Sequence, residues 1–125
     1  MQEMIDFFKR YQFEFDQQNW VNFSALFYEP AMSVRADGSV MLIPTHAEGA
    51  RLYESVASAW RAQGYARFEM EDFEVLKLGQ DSRLVSFDWL MLSAHGELIR
   101  RWRQSYQLMR TQEAWQVFTS TFHQS

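Results

Sequence analysis

At 125 residues, 47% hydrophobic and 22% charged, the chain has enough apolar material for one domain with its own core, expected to span 1–125. It contains no cysteine and carries a net charge of −4, which excludes disulfides, thiolate metal sites and cysteine nucleophiles and argues against general nucleic-acid binding. No apolar run approaches the about 20 residues of a membrane span, and no basic-then-apolar leader stands at the start, so the expectation is a cytoplasmic protein without a membrane contact.

Met4, Phe7, Phe8, Tyr11 and Phe15 recur at helical spacing. They predict an amphipathic helix over roughly residues 2–17. Asn19 is placed to cap a second helix that turns Trp20, Phe23, Leu26 and Phe27 inward and ends at Pro30. The period then changes. Met32-Ser33-Val34 and Val40-Met41-Leu42-Ile43 flank Ala36-Asp37-Gly38-Ser39, a hairpin signal because Gly38 accepts the positive φ of the turn. Thr45-His46-Ala47-Glu48 reads as a capping box opening a third helix, with Leu52, Tyr53, Val56, Ala59 and Trp60 inward and Gly64 as its stop. From Ala66 onward the pattern is strand and turn. Arg67–Leu78, Leu84–Leu92, Glu97–Arg110 and Trp115–Phe122 are the predicted strands. Helices before an antiparallel run make the fold class α+β.

Short turns set the register expected for the last three strands. Trp89 faces Trp102, Phe87 faces Gln104, and Val85 faces Tyr106; on the other face Asp88 meets Arg103, an opposite-charge pair that supports the register. Continuing it places Tyr106 opposite Thr119, Gln104 opposite Thr121, and Trp102 opposite His123. One face is then apolar at one end, with Gln104, Tyr106, Thr119 and His123 at the other. A covered face of that kind is what a small-molecule pocket needs. The opposite face, with Leu90, Leu92, Met109, Phe118 and Phe122 among its polar groups, suggests a homodimer contact through the outer sheet face. On Arg67–Leu78 two registers remain open. One turns Asp72 and Glu74 inward as candidate bases; a bulge turns Phe73 and Val75 inward instead.

His123 is a candidate acid or base because its ordinary pKa lies near neutrality. The three histidines stand on separate elements without ligand spacing, so no metal is expected. No phosphate loop, nucleophile elbow or dinucleotide fingerprint is present, and no cofactor is expected. Five Trp and five Tyr accompany 11 Phe, a surplus of rings suited to lining a cavity. Trp20, Tyr28, Trp60, Trp89 and Trp102 are the expected walls, with Tyr11, Gln104, Tyr106, Thr119 and His123 as polar contacts.

Three motifs, in this order of elements, resemble the nuclear transport factor 2-like superfamily, also called SnoaL-like or cystatin-like. They are Leu26-Phe27-Tyr28-Glu29-Pro30, Trp60-Arg61-Ala62-Gln63-Gly64-Tyr65, and Arg103-Gln104-Ser105-Tyr106-Gln107-Leu108-Met109-Arg110 with Ala114-Trp115-Gln116-Val117. The resemblance implies three helices on a strongly curved antiparallel or mixed sheet, forming a cone with a pocket. The same fold hosts isomerases, cyclases, dehydratases, ligand binders and protein-binding subunits. Tyr11 resembles the helix-one tyrosine of the ketosteroid isomerases, and Tyr106 falls near their protonated aspartate. Their general base is an aspartate on the first strand, where this chain has Val34-Arg35. The expected function is therefore binding of a small apolar or aromatic molecule. The alternatives are an isomerase, cyclase or dehydratase using His123, Asp72 or Glu74, and a non-catalytic dimeric interaction subunit.

Overall fold

A computed structural model of the chain describes residues 1–124. The first helix, α1 (Gln2–Asp16), forms on the predicted stripe and buries Met4, Phe8, Tyr11 and Phe15. The second, α2, is shorter than expected and covers only Trp20–Ser24. Leu26 and Phe27 do not continue it. The Leu26 carbonyl accepts the Val117 amide at 2.9 Å, and Phe27 opens strand β1 (Phe27–Val34) in register with Val117. Bonds to a strand from the far end of the sequence thus replace the local helical ones. β1 returns through the Asp37-Gly38 turn into β2 (Val40–Ile43).

Helix α3 (His46–Ala62) begins where the capping signal stood. Thr45 is extended, and its hydroxyl accepts the Glu48 amide at 3.2 Å. Glu29 on β1 takes the His46 amide at 2.7 Å and ties the helix start to the sheet. Gly64, at φ +100°, turns the chain out of the helix. Four strands follow: β3 (Arg67–Lys77), β4 (Ser82–Leu92), β5 (Leu98–Thr111) and β6 (Ala114–Phe122).

The six strands form one sheet in the order β2-β1-β6-β5-β4-β3. All neighbours are antiparallel except β1 and β6, which run parallel. The sheet is curved and unclosed, and the helices cover its inner face, so the fold class is α+β as expected. Phe8 lies at the centre of the contact, 4.9 Å from the Phe87 ring and 4.7 Å from the Tyr106 ring between centroids. Phe8, Phe23, Phe87, Val85, Leu108 and Val117 are fully buried.

The β4–β5 register matches the expectation at Trp89–Trp102, Phe87–Gln104, Val85–Tyr106 and Asp88–Arg103. The β5–β6 register does not. Leu108 pairs with Val117, but Gln107 pairs with Thr119, so Phe118 is an extra residue on β6. From there every β6 side chain changes face. Tyr106 faces Ser120 and Gln104 faces Phe122, which puts Ser120 and Phe122 inside and Thr119, Thr121 and His123 outside. The same step occurs against β1, which advances five residues from Phe27 to Met32 while β6 advances two.

A second bulge resolves the choice on β3. Glu71 pairs with Asp88 and Glu74 with Ser86, three steps against two, with Asp72 at φ +59°. Phe68 and Met70 face inward before it, and Phe73 and Val75 after it. Asp72 and Glu74 therefore lie on the outer face, not in the cavity. Arg101 contacts Asp88 at 2.8 Å, Glu71 at 3.0 Å and Asp72 at 3.1 Å; Arg103 contacts Asp88 at 2.9 Å and also Glu74. This charge network occupies the face expected to be mixed. No helix among the described residues is long and apolar enough to cross a membrane.

Candidate functional site

Tyr11, Gln12 and Phe15 from α1, Tyr53 and Trp60 from α3, Phe68, Trp89 and Phe122 from the sheet, and Trp102, Gln104 and Tyr106 from β5 enclose a chamber of about 40 Å³. A space of that size holds a few waters or the tip of a larger molecule. Its aromatic walls are in mutual contact: Trp60 and Trp102 lie 5.6 Å apart between centroids, and Phe122 stacks on Trp102 at 6.0 Å. These three rings and Tyr53 also floor a groove of about 610 Å³ on the outside. The groove runs between Leu52, Val56 and Ala59 of α3 and the open end of the sheet. Its rim carries Ser33, Arg35, Asp37, Arg100, Arg101 and His123. The site is thus a wide groove backed onto a small chamber, with the shared rings of Trp60 and Trp102 in contact at the throat between them.

The chamber's polar groups are partly committed. Trp89 Nε1 donates to the Tyr106 hydroxyl at 2.8 Å, and Trp102 Nε1 donates to Gln104 Oε1 at 2.9 Å. Among the described residues no hydrogen bond uses the Tyr106 proton or the Gln104 amide protons, so both remain donors for a guest. Burial pushes the Tyr106 phenol well above its ordinary value, outweighing the hydrogen bonds it accepts from Trp89 and Tyr11. Burial likewise raises Tyr11, with the neighbouring Tyr106 and Tyr53 phenols adding to it. Both phenols are neutral at physiological pH. They can donate to a carbonyl or hydroxyl; they cannot serve as resting bases.

Of the residues singled out from sequence, Tyr11, Trp60, Trp89, Trp102, Gln104 and Tyr106 meet in the chamber wall. Trp20 stands behind it, packed on Phe15 at 5.1 Å. Tyr28 is turned to the outer face, where its ring meets Phe118 at 6.1 Å. The β6 bulge removes Thr119 from the inner face and leaves His123 at the groove rim, its Nε2 bonded to Ser105 Oγ at 2.7 Å. Asp72 and Glu74 are outside, as described. The sequence reading missed Gln12, Phe15, Tyr53, Phe68 and Phe122 as lining, and Arg35 and Arg100 as rim. Tyr53 and Phe15 were visible as inward residues of their helices; Phe122 was hidden by the bulge.

No curated protein matches the chain. Solved structures do. Aln2 from a Streptomyces species superposes with a TM-score of 0.79 at 17% identity, over 98% of this chain and 88% of that one. An NTF2-like protein with a cystatin-like fold from Novosphingobium aromaticivorans gives 0.77 at 16% identity, over 98% and 80%. An NTF-2 like protein of unknown function from Shewanella oneidensis gives 0.77 at 10% identity, over 98% and 97%. At these identities the likeness is one of fold. The family described as NTF2-like protein (DUF6841) matches residues 2–125, and the chain belongs to that NTF2-like family.

Proposed function

We propose that the protein binds a small, largely apolar or aromatic molecule in the groove, with the molecule's leading end passing Trp60 and Trp102 into the chamber. One observation carries this reading: a groove of about 610 Å³ shares its aromatic floor with a buried chamber that holds free donors. Binding sites of small molecules have this size and this mix of apolar wall and sparse polar contacts. Tyr106 and Gln104 would orient an oxygen of the guest; Trp60 and Trp102 would stack on its body. Binding is favoured over catalysis because the two candidate bases on β3, Asp72 and Glu74, lie on the far face, the Asp16 carboxylate near the chamber is engaged by Tyr65 and the Phe68 amide, and the buried phenols stay protonated. The test is titration with naphthylacetamide, a neutral aromatic probe, read by the melting temperature and by tryptophan fluorescence. A saturable rise in melting temperature that Trp102→Ala weakens supports the reading. No binding up to millimolar probe overturns it.

We also propose that a second copy of the chain packs on the outer sheet face. Met32 pairs with Leu42 and Val34 with Val40 there, and Met32, Val40 and Leu42 are exposed. An apolar patch at a sheet edge invites such a contact. Sedimentation should give a dimer that Leu42→Lys converts to monomer; a monomeric wild-type protein would rule the contact out.

A further inference from the structure

The groove rim has a charge pattern that selects among the small aromatic molecules of the proposed function, and the inference rests on that reading. Four charged side chains line the groove: Arg35, Asp37, Arg100 and Arg101. Asp37 is turned onto its own hairpin, accepting from the Ser39 amide at 2.9 Å and from the Ser39 hydroxyl at 2.6 Å. Arg101 is held by Glu71, Asp72 and Asp88. Arg35 and Arg100 make no ion pair with any described residue. Arg100 is instead seated over the throat, its guanidinium carbon 5.0 Å from the Trp102 centroid and 5.9 Å from that of Trp60. A guanidinium over a ring keeps its N–H fork available to a planar anion. Arg35 faces the same groove from the end of β1.

We infer that the guest is an aromatic or apolar carboxylic acid, its ring in the tryptophan throat and its carboxylate held at the groove mouth by Arg100 and Arg35. Two guanidinium groups without an ion pair beside an aromatic slot match that amphipathic shape, since Arg meets a carboxylate with two parallel hydrogen bonds. A neutral analogue keeps the ring contact and loses the charged one. A hydrogen bond between charged groups at a partly open rim is worth about a tenfold change in affinity.

The experiment compares naphthylacetate with naphthylacetamide by isothermal titration, on wild type, Arg100→Gln, Arg35→Gln and a control, Arg83→Gln. Arg83 lies elsewhere, over the Trp115 ring at 4.9 Å. The expected result is acid binding about tenfold tighter than amide in wild type and in Arg83→Gln. That ratio should fall to about threefold or less in Arg100→Gln and Arg35→Gln. Circular dichroism shows that each variant is folded, and the ratio cancels any general loss of ring contact. Equal affinity of acid and amide for wild type overturns the inference and leaves the proposed function standing. An acid preference that survives both groove substitutions overturns the assignment to these arginines. Failure of both probes to bind overturns the inference together with the reading on which it rests.

Discussion

Tyr106 is the residue at which packing and polarity meet most closely. Its hydroxyl is the acceptor of a buried indole N–H, at 2.8 Å. Removing that hydroxyl leaves Trp89 Nε1 buried without a partner, a change that costs about 1–3 kcal/mol. Tyr106→Phe should show this loss in urea unfolding, and adding Trp89→Phe should cost less than the sum of the two single changes. Full additivity would mean that the bond carries no stability. Asp88 on the outer face makes a different prediction. Desolvation alone would raise its carboxyl, but hydrogen bonds and charge from Arg101 and Arg103 outweigh it and hold the group below its ordinary 3.8. A group held low when folded adds stability above its unfolded value and loses it as pH falls through its folded value. Below pH 3.8 the wild type should therefore lose melting temperature more steeply than Asp88→Asn. Parallel acid limbs would show that the network contributes nothing.

Among the elements, β3 and β6 decide the site through single extra residues. On β3 the extra residue is Asp72, in the left-handed region at φ +59°. Glycine adopts that conformation freely and a β-branched side chain does not. Asp72→Val should destabilise the protein by about 1–2 kcal/mol, whereas Asp72→Gly should not, despite losing one contact to Arg101. Equal losses in chemical unfolding would argue that the bulge is not what the position requires. On β6 the extra residue is Phe118. It exchanges His123 and Thr119 for Phe122 and Ser120 on the inner face, so the throat gains a ring and the chamber loses an imidazole. The helices were more legible. The α1 stripe and the Thr45 cap depend on neighbours within a turn, which spacing reveals.

On the scale of the whole molecule, Phe8 joins the helical cover to the sheet beneath the chamber. It is completely buried against Phe87 and Tyr106. Phe8→Ala should cost about 3–5 kcal/mol in unfolding. Because the new void would adjoin the chamber, the variant should also accept a longer aromatic probe than the wild type does. Loss of stability without that change in probe preference would place Phe8 in the core alone. Arg101 and Arg103 of β5 are paired with carboxylates on the outer face, whereas Arg35 and Arg100 at the groove make no ion pair with a described residue. That asymmetry makes the open end of the sheet the place to look for a ligand.

Local sequence determined the α+β order, the first and third helices, the turns, and the β4–β5 register, because each depends on periodicity, capping or a short hairpin. It also located Tyr11, Trp60, Trp89, Trp102, Gln104 and Tyr106, whose facing follows from those elements. Only the tertiary structure decided where α2 stops, which β6 residues face inward, and that Asp72 and Glu74 lie outside. Each of those outcomes depends on a strand paired with a distant partner or on one inserted residue. A strand's side chains alternate with a period of two, so a single bulge reverses everything beyond it. The aromatic cone that the three final strands implied is real in outline, but it is narrower than a pocket. The larger space lies at its mouth, where Arg35 and Arg100, far apart in sequence, line one groove.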